Sequence, residues 1–113
     1  MLNDLERKRA EKILAGLLAP RHSPHVKSGG VVRYRIVRQS IEVFSERPAY
    51  DNPAEMIEIP IAKLRYVRIT GVWQLFWSRA NGSWDRYSPK PDAGELSELV
   101  AEVWSDPYFC FWG

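Results

Sequence analysis

The chain has 113 residues, 16 basic against 14 acidic side chains for a net charge of +2, and a single cysteine. One domain over residues 1–113 with one core follows from that length; the lone Cys110 excludes an internal disulfide, and neither a signal peptide nor an apolar run of ~20 residues is present, so a cytoplasmic protein without a membrane partner is expected. Charge is uneven, with six bases and three acids in residues 1–30, ten and six in 31–90, and five acids without a base in 91–113, which leaves little drive toward a polyanion.

Asn3 followed by Glu6 has capping-box spacing, and Leu5, Ala10, Ile13, Leu14, Leu17 and Leu18 recur at helical spacing as far as Pro20. An amphipathic first helix is predicted, with Arg7, Lys8, Arg9 and Lys12 on its solvated side. Residues 20–30 are too rich in Pro, Gly and Ser for regular structure, and a connection that long leans functional. From Val31 the period becomes two: Val32, Tyr34 and Ile36 alternate with Arg33 and Arg35, and after a tight turn at Arg38-Gln39, Ile41 and Val43 alternate with Glu42. This is a half-buried hairpin in which Arg35 opposes Glu42. Met56 to Ile59 continues the sheet, but Pro60 lacks a ladder donor, so a bulge or a 3₁₀ turn through residues 61–63 is expected before pairing resumes at Leu64.

Gly71 to Pro89 holds three of the five tryptophans and the clearest turn signal, Asn81-Gly82, which suits a two-residue type I′ loop. That loop places Arg79 opposite Trp84, Trp77 opposite Arg86, Phe76 opposite Tyr87 and Ser78 opposite Asp85. One face then carries an alternating ladder of Trp73, Leu75, Trp77, Arg86, Arg79 and Trp84. Such a ladder stiffens a hairpin by cation–π contact, or offers a stacking platform for bases or sugars with arginines for phosphate or carboxylate. After Pro89 and Pro91 a last helix is predicted from Asp92, with Glu95 completing its cap and Leu96, Leu99, Val100 and Val103 as its apolar stripe. The fold class is α+β: a two-layer domain of order α-β-β-β-β-β-α, an antiparallel meander of about five strands with N- and C-terminal helices on one face.

Several segments together resemble a known family. They are Leu5-Glu6-Arg7, Pro24-His25, Tyr34-Arg35-Ile36, Glu58-x-Pro60-x-Ala62-Lys63, Tyr66-Val67-Arg68, Gly71-Val72-Trp73, Trp77-x-Arg79-Ala80, Trp84-x-x-Tyr87, and Asp106-Pro107 with Cys110-Phe111-Trp112-Gly113. Over almost its whole length the chain resembles the small bacterial family catalogued as domain of unknown function 3024. The resemblance implies bacterial origin and the same single domain, and no activity, cofactor or partner. Phe109 stands where the resemblance implies glycine, and His22 has no counterpart.

Chemical candidates are few. Residues 109–113 resemble part of the catalytic motif of the A-type peptide methionine sulfoxide reductases, in which the cysteine attacks the sulfoxide, but no helix opens after Cys110 to lower its thiol pKa. The competing reading docks Tyr108, Phe109, Phe111 and Trp112 apolarly, with Cys110 as a small buried residue. His22 and His25 lack the further ligands that a structural zinc needs, and no metal or cofactor is expected. The Asp51 and Glu55 carboxylates sit in a turn, and Gly29-Gly30 precedes a strand instead of opening a phosphate-binding helix. A non-enzymatic binding or interaction module is therefore expected, using an open sheet face or the 20–30 loop, with Trp77, Arg79, Trp84, Arg86, Arg33 and Arg35 as binding residues. The expected partners are a protein, a second copy of the chain, or weakly held nucleic acid. The alternative is an enzyme or thiol protein using Cys110 with His25.

Overall fold

The computed structural model of the chain describes residues 2–18 and 31–112. Helix α1 (Asp4–Leu18) is followed by strands β1 (Val31–Val37), β2 (Ser40–Pro48), β3 (Met56–Val67), β4 (Val72–Ser78) and β5 (Trp84–Arg86), a two-residue strand β6 (Asp92–Ala93), and helix α2 (Leu96–Ser105). The five strands pair antiparallel in chain order, and β6 adds to β4 beyond β5. The architecture is the expected α+β meander with a helix at each end.

Alternation sets the layers. Ile41, Val43, Ala62, Leu64, Trp73 and Leu75 point from the three central strands into one cluster with Ala10 and Leu14 of α1 and Leu96, Leu99, Val100 and Val103 of α2. Both helices thus cover the same face, and among the described residues the opposite face has no helical layer. Leu5, expected in the apolar stripe of α1, is 58% exposed. The capping box forms as its spacing requires: the Asn3 amide donates to Glu6 Oε1 at 3.0 Å and the Glu6 amide to Asn3 Oδ1 at 2.8 Å.

Glu6 also receives the Arg68 guanidinium through two bonds, 2.9 Å to Oε1 and 3.2 Å to Oε2, which ties the start of α1 to the turn after β3. These Arg68 bonds, and then the Asn3 amide, hold the Glu6 carboxyl below the ordinary glutamate range. Because the folded value is depressed, the stability this group contributes is fully present above about pH 4.3, the ordinary glutamate value, and is lost as pH falls through the folded value. The Glu6→Gln variant is expected to lose that part of the acid dependence, read from unfolding at pH 7 and pH 3; an unchanged difference between the two would refute the assignment.

The first hairpin has the register expected, Arg35 opposite Glu42, with Arg38 at φ 57 in the turn. A bulge follows in β3. Val43 pairs with Ala62 and Phe44 with Pro60, so Ile61 is the extra residue and faces inward beside Ala62. Pairing therefore resumes at Ala62, earlier than expected. The last helix starts later than expected, at Leu96 after an N-cap Glu95 without a side-chain capping bond. Asp92 and Ala93 pair instead with Gln74 and Trp73 of β4, whose edge is free beyond the three-residue β5.

Candidate functional site

The second hairpin differs from its expected register by one residue. Ser78 pairs with Trp84, Trp77 with Asp85 and Phe76 with Arg86. A type I′ loop needs positive φ at Asn81 and Gly82, but only Gly82 has it, at 86°. Asn81 Oδ1 instead accepts the Ser83 amide at 3.0 Å and the Ser83 hydroxyl at 2.7 Å. The Gly82 amide bonds Arg79 O and the Arg79 amide bonds Ser83 O, each at 2.9 Å. The loop is therefore residues 80–82 with glycine at the left-handed third position, the common three-residue alternative.

A one-residue slip turns a strand over. Trp84 and Arg86 stand on the open face beside Ser78 and Phe76, while Trp73, Leu75 and Trp77 face the helices. The continuous Trp–Arg ladder does not exist. Arg79 lies at the loop edge and bonds Asp85 Oδ2 at 2.8 Å. Of the six expected binding residues, Arg33, Arg35, Trp84 and Arg86 share the open face, and Trp77 and Arg79 do not.

What the slip assembles is a row with one residue from each strand: Arg86, Phe76, Lys63, Glu42 and Arg35. The Phe76 ring lies between two cations, Lys63 Nζ and the Arg86 guanidinium, each 5.7 Å from its centroid. Arg86 is held by Pro91 O at 3.1 Å and Asp92 at 3.6 Å. At the far end the Arg35 guanidinium lies 4.3 Å over the Phe44 ring, bonds Glu58 and approaches Glu42 at 3.9 Å.

Next to this row is a cavity of about 220 Å³ lined by Arg35, Glu42, Val43, Phe44, Glu58, Pro60, Gly82 and Trp84. In a flat sheet four strand steps of ~4.8 Å would hold β1 and β5 about 19 Å apart. Arg35 of β1 and Trp84 of β5 nevertheless line one cavity, with Phe44 of β2 and Pro60 of β3 between them. Apolar walls from Phe44, Pro60 and Trp84 surround a guanidinium donor and two carboxylate acceptors. Phe44, Lys63 and Phe76 were missed as site residues in the sequence, although the alternation of β2, β3 and β4 placed all three opposite the core residues.

The model for a domain of unknown function, DUF3024, matches residues 2–113. The chain belongs to the DUF3024 family. No curated protein and no solved structure matches it.

The DUF3024 chain ends in a knot of hydrogen bonds around Asp106. Asp106 stops α2 in the left-handed conformation at φ 45, and its carboxylate accepts the amides of Cys110, Phe111 and Trp112 at 2.8, 3.1 and 2.8 Å. Phe111 is buried against Tyr87 with ring centroids 4.8 Å apart, and the Trp112 indole donates to Val103 O at 2.6 Å. Tyr87 itself is fully buried and donates to Glu102 Oε2 at 2.7 Å; burial first, then that bond, push its hydroxyl above the ordinary tyrosine range. The packed tail is thus Phe111 and Trp112, while Tyr108 and Phe109, expected to join them, are 63% and 65% exposed. Phe109 sits at φ 58 in the turn that returns the chain to Asp106. That conformation costs a non-glycine residue ~1–2 kcal/mol, partly offset by the lower freedom of the unfolded chain. Phe109→Gly is expected to stabilise the protein by up to about 1 kcal/mol in thermal unfolding, and a lower midpoint would contradict the strain.

Burial and then the Asp106 carboxylate push the Cys110 thiol up, the opposite of what a nucleophilic cysteine requires. Its expected partner His25, and His22, lie outside the described residues. Among the described residues no three His, Cys, Asp or Glu side chains converge as a metal site, and no helix is long and apolar enough to cross a membrane.

Proposed function

We propose that this DUF3024 chain is a non-enzymatic binding module, acting in the bacterial cytoplasm, whose ligand presents a planar heteroaromatic ring to the open sheet face. The observation that carries this reading is the cavity among Phe44, Pro60 and Trp84, with Arg35, Glu42 and Glu58 inside the same walls. Trp84 and Pro60 take the faces of a ring, while Phe44, buried and covered by the Arg35 guanidinium, forms the floor. A guanidinium held by carboxylates takes its edge, because Arg35 donates to ring acceptors while Glu42 and Glu58 accept from exocyclic N–H groups. The only thiol among the described residues is at the tail, in surroundings that keep it protonated, and it does not line the cavity.

The test is ligand-observed NMR of the full chain with adenosine and cytidine, which carry the ring and no phosphate. Saturation transfer to the ring protons is expected with the native protein and is expected to be lost in Trp84→Ala. Absence of transfer to either nucleoside, or transfer that survives Trp84→Ala, would overturn the reading.

A further inference from the structure

Resting on that reading, we infer that the ligand is a single-stranded nucleic acid, one base of which enters the Phe44–Trp84 cavity while its phosphates follow Lys63, Arg65 and Arg38. A cavity of about 220 Å³ is smaller than the ~300–1,000 Å³ of a site that encloses a whole small ligand, so the bound ring belongs to something that continues outside. The continuation is charged. A second, shallower cavity of about 430 Å³ adjoins the first, with Glu42 on the border of both, and Arg38, Lys63 and Arg65 line it with Ser40. Among the described residues none of these three cations has a carboxylate within ion-pair distance.

Their spacing favours a chain of phosphates over one. Lys63 and Arg65 are two residues apart on β3, about 7 Å along the strand, and Arg38 lies across β2 in the turn that ends β1. Lys63 also flanks the half-exposed Phe76 ring, which gives a second stacking surface next to the cation line. Base stacking on aromatic side chains combined with a basic track is the sequence-tolerant way that single strands are held. A duplex is excluded by the same geometry, because its bases offer no free ring face to the cavity.

The test is fluorescence anisotropy of a labelled ten-nucleotide single strand with the full chain, over a series of salt concentrations. Dissociation constants between about 1 and 100 μM are expected, with a slope of log K against log salt near −2, since three neutralised phosphates contribute ~0.7 each. The Lys63→Gln/Arg65→Gln double variant is expected to bind at least about tenfold more weakly at low salt and to flatten the slope to about −0.7. Trp84→Ala is expected to weaken binding about tenfold and leave the slope unchanged. A slope unaltered in the double variant overturns the inference, as does equal affinity for a duplex or for polyglutamate. If the nucleosides bind through Trp84 but the oligonucleotide binds no tighter, the inference falls and the ring-binding reading stands; if neither binds, both fall.

Discussion

Asp106→Ala is expected to lower the unfolding free energy by about 3 kcal/mol or more, out of the ~5–15 typical of a domain. Asp106 is 3% exposed and its carboxylate gathers three main-chain amides, and the Phe111 amide among them is buried. A hydrogen bond to a charged group contributes ~1.5–3 kcal/mol, and an orphaned buried donor costs ~1–3. The contributions do not add in full, since the Cys110 and Trp112 amides gain some water once the tail loosens. Alanine also fits the left-handed stop less well than aspartate. Asp106→Gly separates the two effects, because it keeps the backbone conformation and removes the acceptor, and it is expected to cost nearly as much. Denaturant unfolding reads both, and a loss under about 1 kcal/mol for either variant would mean that the tail does not depend on this carboxylate.

The second large effect distinguishes two adjacent residues. Leu75→Ala is expected to cost about 2–5 kcal/mol, and Phe76→Ala about 1 kcal/mol or less, although phenylalanine is the larger side chain. Leu75 is fully buried opposite Leu64 under the helices, whereas Phe76 stands half-exposed between Lys63 and Arg86 on the face that neither α1 nor α2 covers. A cavity left under the helices collapses only in part, but a ring removed from an open face leaves only water in its place. Equal losses from the two variants, measured by thermal unfolding, would mean that both faces of the sheet are covered.

The layers of this fold were legible because burial has a period. The stripe Leu96, Leu99, Val100 and Val103 and the alternation of β1 and β2 each name their buried face without knowledge of the partner, and all four helix positions are buried as read. The bulge was legible too, because Pro60 removes a donor whatever lies across from it. The site was not, since its composition depends on loop geometry. Asn81-Gly82 fits either a two-residue or a three-residue loop, and the choice rests on whether the Asn81 side chain bonds Ser83, a matter of 2.7–3.0 Å contacts that no pattern encodes. That single residue of register moved Trp84 and Arg86 onto the open face and Tyr87 into the core. The meeting of Arg35 and Trp84 at one cavity likewise depends on all five strands of the sheet. Asp106 carried a quieter signal: an aspartate directly after a helix, followed by proline, has both the left-handed tolerance and the acceptor for a returning chain.

The most direct test of the open face as the binding surface is an amide and side-chain chemical-shift map of the isotopically labelled full chain, titrated with the ten-nucleotide single strand. The account predicts shifts concentrated at Arg35, Phe44, Lys63, Phe76 and Trp84, with Leu99 and Val103 of the covered face unmoved. Shifts confined to α1 and α2, with Trp84 unchanged at saturation, would contradict it.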